Sequence, residues 1–272
     1  MTGETLEDCL TVIRELNRRG MKANVAVLGE AVTDAGQASQ ARAEYERLLM
    51  RVSEKELRAN AAVKLTLFGL DLSRDLAEGN LSQALQVARG VGNFIRLDME
   101  DSSHVEATLE IYRHMRHSGF DNLGLALQAY LYRTHDDLES LLPLQPNVRI
   151  VKGAYLERPD VAWPDKKDVD RNFMRLVERS LRSDAYTAIA THDDALIEAS
   201  IGYADRHRIP RSRFEFQMLY GIRPGLQREL VNRGYQVLVA TTYGPHWYPF
   251  FMRRLAERPA NLLFFLRNVG RD

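Results

Sequence analysis

Val148-Arg-Ile-Val-Lys-Gly153 and Thr187-Ala-Ile-Ala-Thr191 are two short apolar runs on either side of a charged segment, 168–182, that has helical periodicity. Each run has strand length and the near-continuous apolar pattern of a strand buried on both faces. A helix between two such strands predicts a βαβ crossover and therefore parallel pairing.

The same unit repeats outward in both directions. Upstream, strands are predicted at 23–28, 61–67, 94–99 and 123–128, with helices over 37–51, 79–89, 103–117 and 135–141. Downstream, strands at 214–218 and 236–240 alternate with helices over 193–206 and 224–233. An amphipathic helix over 2–19 comes first, with Leu6, Leu10, Ile13 and Leu16 at helical spacing and Gly20 as its stop. After the eighth strand the chain breaks at Gly244-Pro245. It restarts as a helix that carries Phe250, Arg253, Arg254 and Glu257 on one face. Eight alternations predict a distorted (β/α)8 TIM-type barrel. Residues 1–20 form the preceding helix and 21–272 the barrel with its C-terminal helices, in a single domain. An open doubly wound sheet is the rival fold. The lack of a G-x-G-x-x-G after the first strand counts against a dinucleotide-binding version of it.

Composition narrows the class. The 272 residues are 45% hydrophobic and 27% charged, with zero formal net charge, so nothing favours nucleic acid or an anionic membrane. The single cysteine, Cys9, rules out an internal disulfide and fits a reducing compartment. No run approaches membrane-span length. The N-terminus lacks a charged-then-apolar leader. The expectation is a cytoplasmic protein, with a peripheral contact at the inner face of the membrane left open by Leu262-Leu-Phe-Phe-Leu266.

Active sites of parallel barrels lie at the C-terminal strand ends. The polar residues there are Lys64, Asp98, Gln128, Arg149 with Lys152, Thr191 with His192, and Glu215 with Gln217. A polar group in an apolar strand costs free energy unless it is paired. Such groups on so many strands point to a ligand, and a set rich in cations and amides suits a phosphate-bearing cofactor and an anionic substrate. Arg253-Arg254 adds a fork suited to a carboxylate. His114 and His117 sit on a helix with no Cys or carboxylate to complete a ligand set, so no metal site is expected.

These segments carry a resemblance. Val63-Lys-Leu-Thr with Gly69-Leu-Asp-Leu72, Arg96-Leu-Asp-Met-Glu-Asp101, Leu127-Gln-Ala-Tyr-Leu-Tyr-Arg-Thr134 and Arg149-Ile-Val-Lys-Gly-Ala-Tyr155 form its first half. Ala190-Thr-His-Asp193, Phe214-Glu-Phe-Gln-Met-Leu-Tyr-Gly221 and Tyr243-Gly-x-x-Trp-Tyr with Arg253-Arg254-x-x-Glu257 complete it. From about residue 22 to 266 the chain resembles the flavin-dependent proline dehydrogenases of the monofunctional bacterial type. The resemblance implies that Lys64, Arg253 and Arg254 hold the substrate carboxylate. Asp98, Ala154, Tyr155, Leu219 and Tyr243 would line the substrate pocket. Met99, Gln128, Arg149, Lys152, Gly153, Ala154, Thr191 and His192 would hold FAD, with Gly153 allowing close backbone approach. Asp98 and Arg149 would act in catalysis, Arg149 near flavin N5, and Glu257 would pair with a cation. The implied reaction takes L-proline to 1-pyrroline-5-carboxylate by hydride transfer to N5. Electrons then pass to a quinone or another acceptor, and a pyrroline-5-carboxylate dehydrogenase is a possible partner.

The chain departs from the family pattern. Ala240 stands where a tyrosine is usual, Thr241-Thr242 replaces Val-Pro, and Phe250 replaces a tyrosine. Only one helix precedes strand 1, where most bacterial members have more. The small Ala240 predicts room beside the substrate ring, so hydroxyproline or another cyclic imino acid is the alternative substrate, unless Tyr243 fills the gap. Two other classes fit the residues less completely. One is a Schiff-base barrel using Lys64 or Lys152, whose burial would depress the lysine pKa. The other is a barrel that binds an amino acid without turnover.

Overall fold

The computed structural model describes residues 2–29 and 32–244. Eight strands close into a barrel in chain order. They are β1 (Lys22–Val27), β2 (Ala59–Val63), β3 (Ile95–Leu97), β4 (Leu123–Gln128), β5 (Asn147–Val151), β6 (Tyr186–Ala190), β7 (Phe214–Leu219) and β8 (Val237–Tyr243). The helix α1 (Leu6–Arg18) precedes them. Between them run α2 (Ala35–Glu54), α3 (Arg74–Gly90), α4 (Val105–His117), α5 (Thr134–Leu141), α6 (Lys166–Leu181), α7 (Asp194–Arg206) and α8 (Pro224–Asn232). The closed order excludes the open-sheet alternative.

Local chemistry sets the helix starts. Thr5 and Asp8 form a reciprocal capping box on α1, and Asp34 accepts the Gln37 N–H at the start of α2. At α8, Pro224 fills the first turn, where a missing N–H costs nothing. It also keeps Arg223 out of the right-handed helical region; Arg223 sits at φ 51°.

Strand alternation separates two faces. In one compact unit, built from β1–β3, their helices and the end of β8, Ala23, Val25, Ala61, Val63, Ile95 and Leu97 are fully buried. The parallel register aligns Asn24 with Asn60 and Ala62 with Arg96 on the other face. The Asn24 amide donates to Asn60 Oδ1 at 2.5 Å. In the other unit, Val148, Ile150, Thr187, Ile189, Phe214 and Phe216 take the apolar role. The Thr187 hydroxyl meets Ser180 of α6 at 2.7 Å, which identifies this as the helix side. The register then places Arg149, Ala188 and Glu215 in one row of the barrel-interior face, and Ala190 with Gln217 in the next.

Two strand ends differ from the sequence reading by three residues or more. The apolar run through Leu67 predicts a longer β2, but the chain turns at Lys64. Leu65–Phe68 winds as a 3-10 turn that Gly69 closes at φ 97°. Strand β8 continues past Ala240 to Tyr243. Phe250, Arg253, Arg254 and Glu257 lie outside the described residues.

Candidate functional site

In the first unit, β2 and β3 end side by side. Val63 pairs with Leu97, and the Asp98 N–H donates to the Val63 carbonyl at 2.8 Å. Lys64 and Asp98 therefore leave adjacent strand ends on the same face, and both are half-buried. A cation and a carboxylate so placed can bind the two charges of a zwitterion.

Tyr243 ends β8 in the same unit. Alternation along β8 puts Val239, Thr241 and Tyr243 on the helix side, and the Tyr243 hydroxyl donates to Glu44 of α2 at 2.6 Å. Burial, together with the Glu44 carboxylate, raises this phenol above its ordinary pKa. The Tyr243 hydroxyl, expected at the substrate pocket, thus has its partner on α2. The ring cannot fill space beside Ala240, which belongs to the opposite face.

The second unit holds the larger set. Gln128 ends β4 buried, and its amide donates to the Glu100 carbonyl at 2.8 Å, next to the buried Met99. Arg149 lies half-buried on the inner face of β5. Lys152 has the helix-side parity of Val148 and Ile150. Its ammonium pairs with Asp170 of α6 at 2.6 Å and Asp193 at 3.2 Å. Lys166 joins the same two carboxylates, bonding Asp193 at 3.3 Å. Burial acts to raise the Asp193 carboxyl, but Lys152 and Lys166 outweigh it and hold the group below the usual range. An ammonium bound by two carboxylates is poorly suited to be a nucleophile, which weakens the Schiff-base reading of Lys152.

Gly153 and Ala154–Tyr155 follow in the loop after β5. The resemblance implies that Gly153 admits a cofactor. The structure adds a nearer reason: its φ is 120°, and a Cβ there would stand 2.3 Å from the Tyr130 ring. Beyond it, Glu157 grips the β3–α4 loop. The Ser102 N–H and hydroxyl both donate to its carboxylate, at 2.7 and 2.6 Å.

After β6, the Thr191 hydroxyl accepts the Asp193 N–H at 3.2 Å, and Asp193 in turn caps α7. His192 Nε2 accepts the Leu219 N–H at 2.8 Å. Burial, reinforced by the charges of Arg223 and Lys152, drops the His192 pKa to about 4. The ring is therefore neutral, with its proton on Nδ1. Leu219 ends β7 with 44% of its surface exposed. Arg223 escaped the sequence reading. It donates to the His192 carbonyl at 2.9 Å and pairs with Asp194 at 2.8 Å. The one sequence signal for it is its place before Pro224.

Such strand ends define a class: a parallel barrel whose rim residues include cations, amides and a neutral imidazole. The family model for proline dehydrogenase matches residues 9–267, and the chain belongs to the proline dehydrogenase family. It is 44% identical over 269 residues to proline dehydrogenase 1 of Bacillus subtilis (strain 168), covering 99% of this chain and 89% of that protein. It is 38% identical over 273 residues to proline dehydrogenase of Deinococcus radiodurans, covering 99% and 88%. Among solved structures it resembles proline utilization A (PutA) of Bdellovibrio bacteriovorus inactivated by N-propargylglycine. That match has TM-score 0.83 and 25% identity, over 90% of this chain and 30% of the other.

The family implies a flavin. The chemistry of the donor set fits one: Arg149, the Gln128 amide and a neutral His192 offer hydrogen bonds to its polar edge. An orphaned buried carbonyl, Gln217 Oε1, offers an acceptor.

Proposed function

We propose that this chain oxidises L-proline to 1-pyrroline-5-carboxylate with FAD as cofactor. The observation that carries this reading is the 44% identity to a proline dehydrogenase over 99% of the chain. When bound, the flavin supplies the hydride acceptor. Lys64, with Arg253 and Arg254, would hold the substrate carboxylate, and Asp98 the amine side. Arg149 would place permanent positive charge where the flavin becomes electron-rich. Gln128, Lys152, Thr191 and His192, with the backbone of Met99, Gly153 and Ala154, would hold the cofactor. Tyr155, Ala154 and Leu219 would exclude water from the ring. A quinone or another acceptor would take the electrons, and a separate pyrroline-5-carboxylate dehydrogenase would take the product. No described helix is long and apolar enough to cross a membrane.

Hydroxyproline is the second reading. Ala240 favours it, since Tyr243 is turned to Glu44 and leaves the space beside Ala240 to the ligand. An anaerobic absorbance spectrum tests both readings. The expected result is a flavin band that L-proline bleaches, with hydroxyproline bleaching it at a comparable rate if Ala240 has widened the site. A colourless protein that takes up no added FAD would overturn the assignment.

A further inference from the structure

On the barrel-interior face of β6 and β7, three side chains form a chain of hydrogen bonds that ends in an unmet acceptor. The Tyr186 hydroxyl donates to Glu215 Oε2 at 3.1 Å, and the Gln217 amide donates to Glu215 Oε1 at 2.7 Å. Glu215 and Gln217 are 4% and 3% exposed. Both Glu215 oxygens accept here, so Gln217 presents its NH2 to Oε1, which fixes which way the amide lies. The other end, Gln217 Oε1, is buried and has no hydrogen-bond partner among the described residues. A buried carbonyl left so is destabilising, and native interiors rarely tolerate one without a role. Gln217 shares its row with Ala190, one residue pair beyond Arg149 and one before Leu219 and His192, so the acceptor lies just beneath the rim.

We propose that Gln217 is a positioning residue whose fixed carbonyl accepts an N–H from the bound ligand pair. This rests on the flavoenzyme reading above. Two ligand groups have the required chemistry: N3–H of the flavin and the ring N–H of the imino acid. Neither an ammonium-binding carboxylate nor a freely rotating hydroxyl would discriminate as this amide does, because its partner Glu215 denies it the donor orientation.

The test uses the flavin-loaded full chain and Gln217→Leu, with 15N-labelled FAD and two planar ligands that cannot reduce it, pyrrole-2-carboxylate and furan-2-carboxylate. If the flavin is the donor, the N3 resonance of the variant moves away from its wild-type position, and both ligands bind as before. If the substrate is the donor, N3 stays, pyrrole-2-carboxylate binds about tenfold more weakly, and furan-2-carboxylate is unchanged. Either result supports the role. An unchanged N3 together with unchanged preference between the two ligands overturns it and leaves the carbonyl to an internal water. Glu215→Gln, which keeps the volume and frees the amide to turn, should give the same signature more weakly, and its failure to do so counts equally if Gln217→Leu cannot be loaded. Wild-type protein that binds no FAD would sink the flavoenzyme reading itself, in a sample where Gln217 is intact.

Discussion

The rims of β5 and β6 solve the same local problem in opposite ways. Each must turn a parallel strand into the loop before a helix while presenting polar groups. At β5, Lys152 turns to the helix side and joins Lys166, Asp170 and Asp193 in a four-charge cluster. At β6, His192 keeps the inner-face parity. Burial, with the cations of Arg223 and Lys152, keeps it neutral, and its Nε2 accepts the Leu219 N–H. The charges that balance one another lie on the helix side, and the inner-face group at the end of β6 is uncharged. A neutral Nδ1–H can donate to a flavin carbonyl without fixing a net charge beside it.

The largest effect should come from Gly153, where the β5 rim depends on backbone shape rather than charge. Gly153→Ala combines an unfavourable positive φ with a Cβ inside the Tyr130 ring. Chemical denaturation should read a loss of about 3 kcal/mol, together with loss of flavin retention. A variant that unfolds at the wild-type midpoint would break the idea that shape dominates there.

Acid should act next, and on the β6 rim. Between pH 6.5 and about 4 the unfolded chain binds a proton at His192 that the native protein does not. Native stability is therefore at its full value above pH 6.5, falls as pH drops, and stops falling from this source below about 4. The total is of order 3 kcal/mol. Urea melts of wild type and His192→Gln across that range should diverge, the variant losing less. Parallel curves would mean that the imidazole is not held neutral.

Glu157→Gln, which weakens the grip on Ser102, should cost about 1–2 kcal/mol and loosen flavin binding more than substrate binding. The smallest change belongs to the ionic cluster. Asp170→Asn leaves Asp193 to both lysines, so less than about 1 kcal/mol should be lost, and less still at high salt. A larger, salt-independent loss would make the two rims more alike than their chemistry suggests.

Much of this was legible in the sequence, because hydrophobic period and turn residues are local. Leu123–Gln128 is the predicted strand residue for residue, and seven other strands fall within a few residues of their expected positions. The misreadings have tertiary causes. Leu65 and Leu67 look like strand because the core beneath a turn is as apolar as the core beside a strand. The Tyr243 bond to Glu44 was not legible either, since its partner lies on a helix 199 positions away in the chain. The orientation of Tyr243 follows from β8 running three residues past Ala240, which the polar Thr241-Thr242 concealed. Arg223 and Glu157 carry no pattern of their own. Their partners lie 31 and 55 positions away in the chain, so only the folded loops give them meaning.

Tyr45 of α2 spans two neighbouring strands with one hydroxyl, which accepts the Val27 N–H at 3.1 Å and donates to the Ala62 carbonyl at 2.8 Å. The end of β1 thus owes its last amide bond to a helix rather than to the sheet. In deuterated water, the Val27 amide should exchange as slowly as an interior ladder amide while α2 is docked. Once the helix lifts, it should exchange at the rate of a free strand end, making that one proton a clock for the helix leaving the barrel.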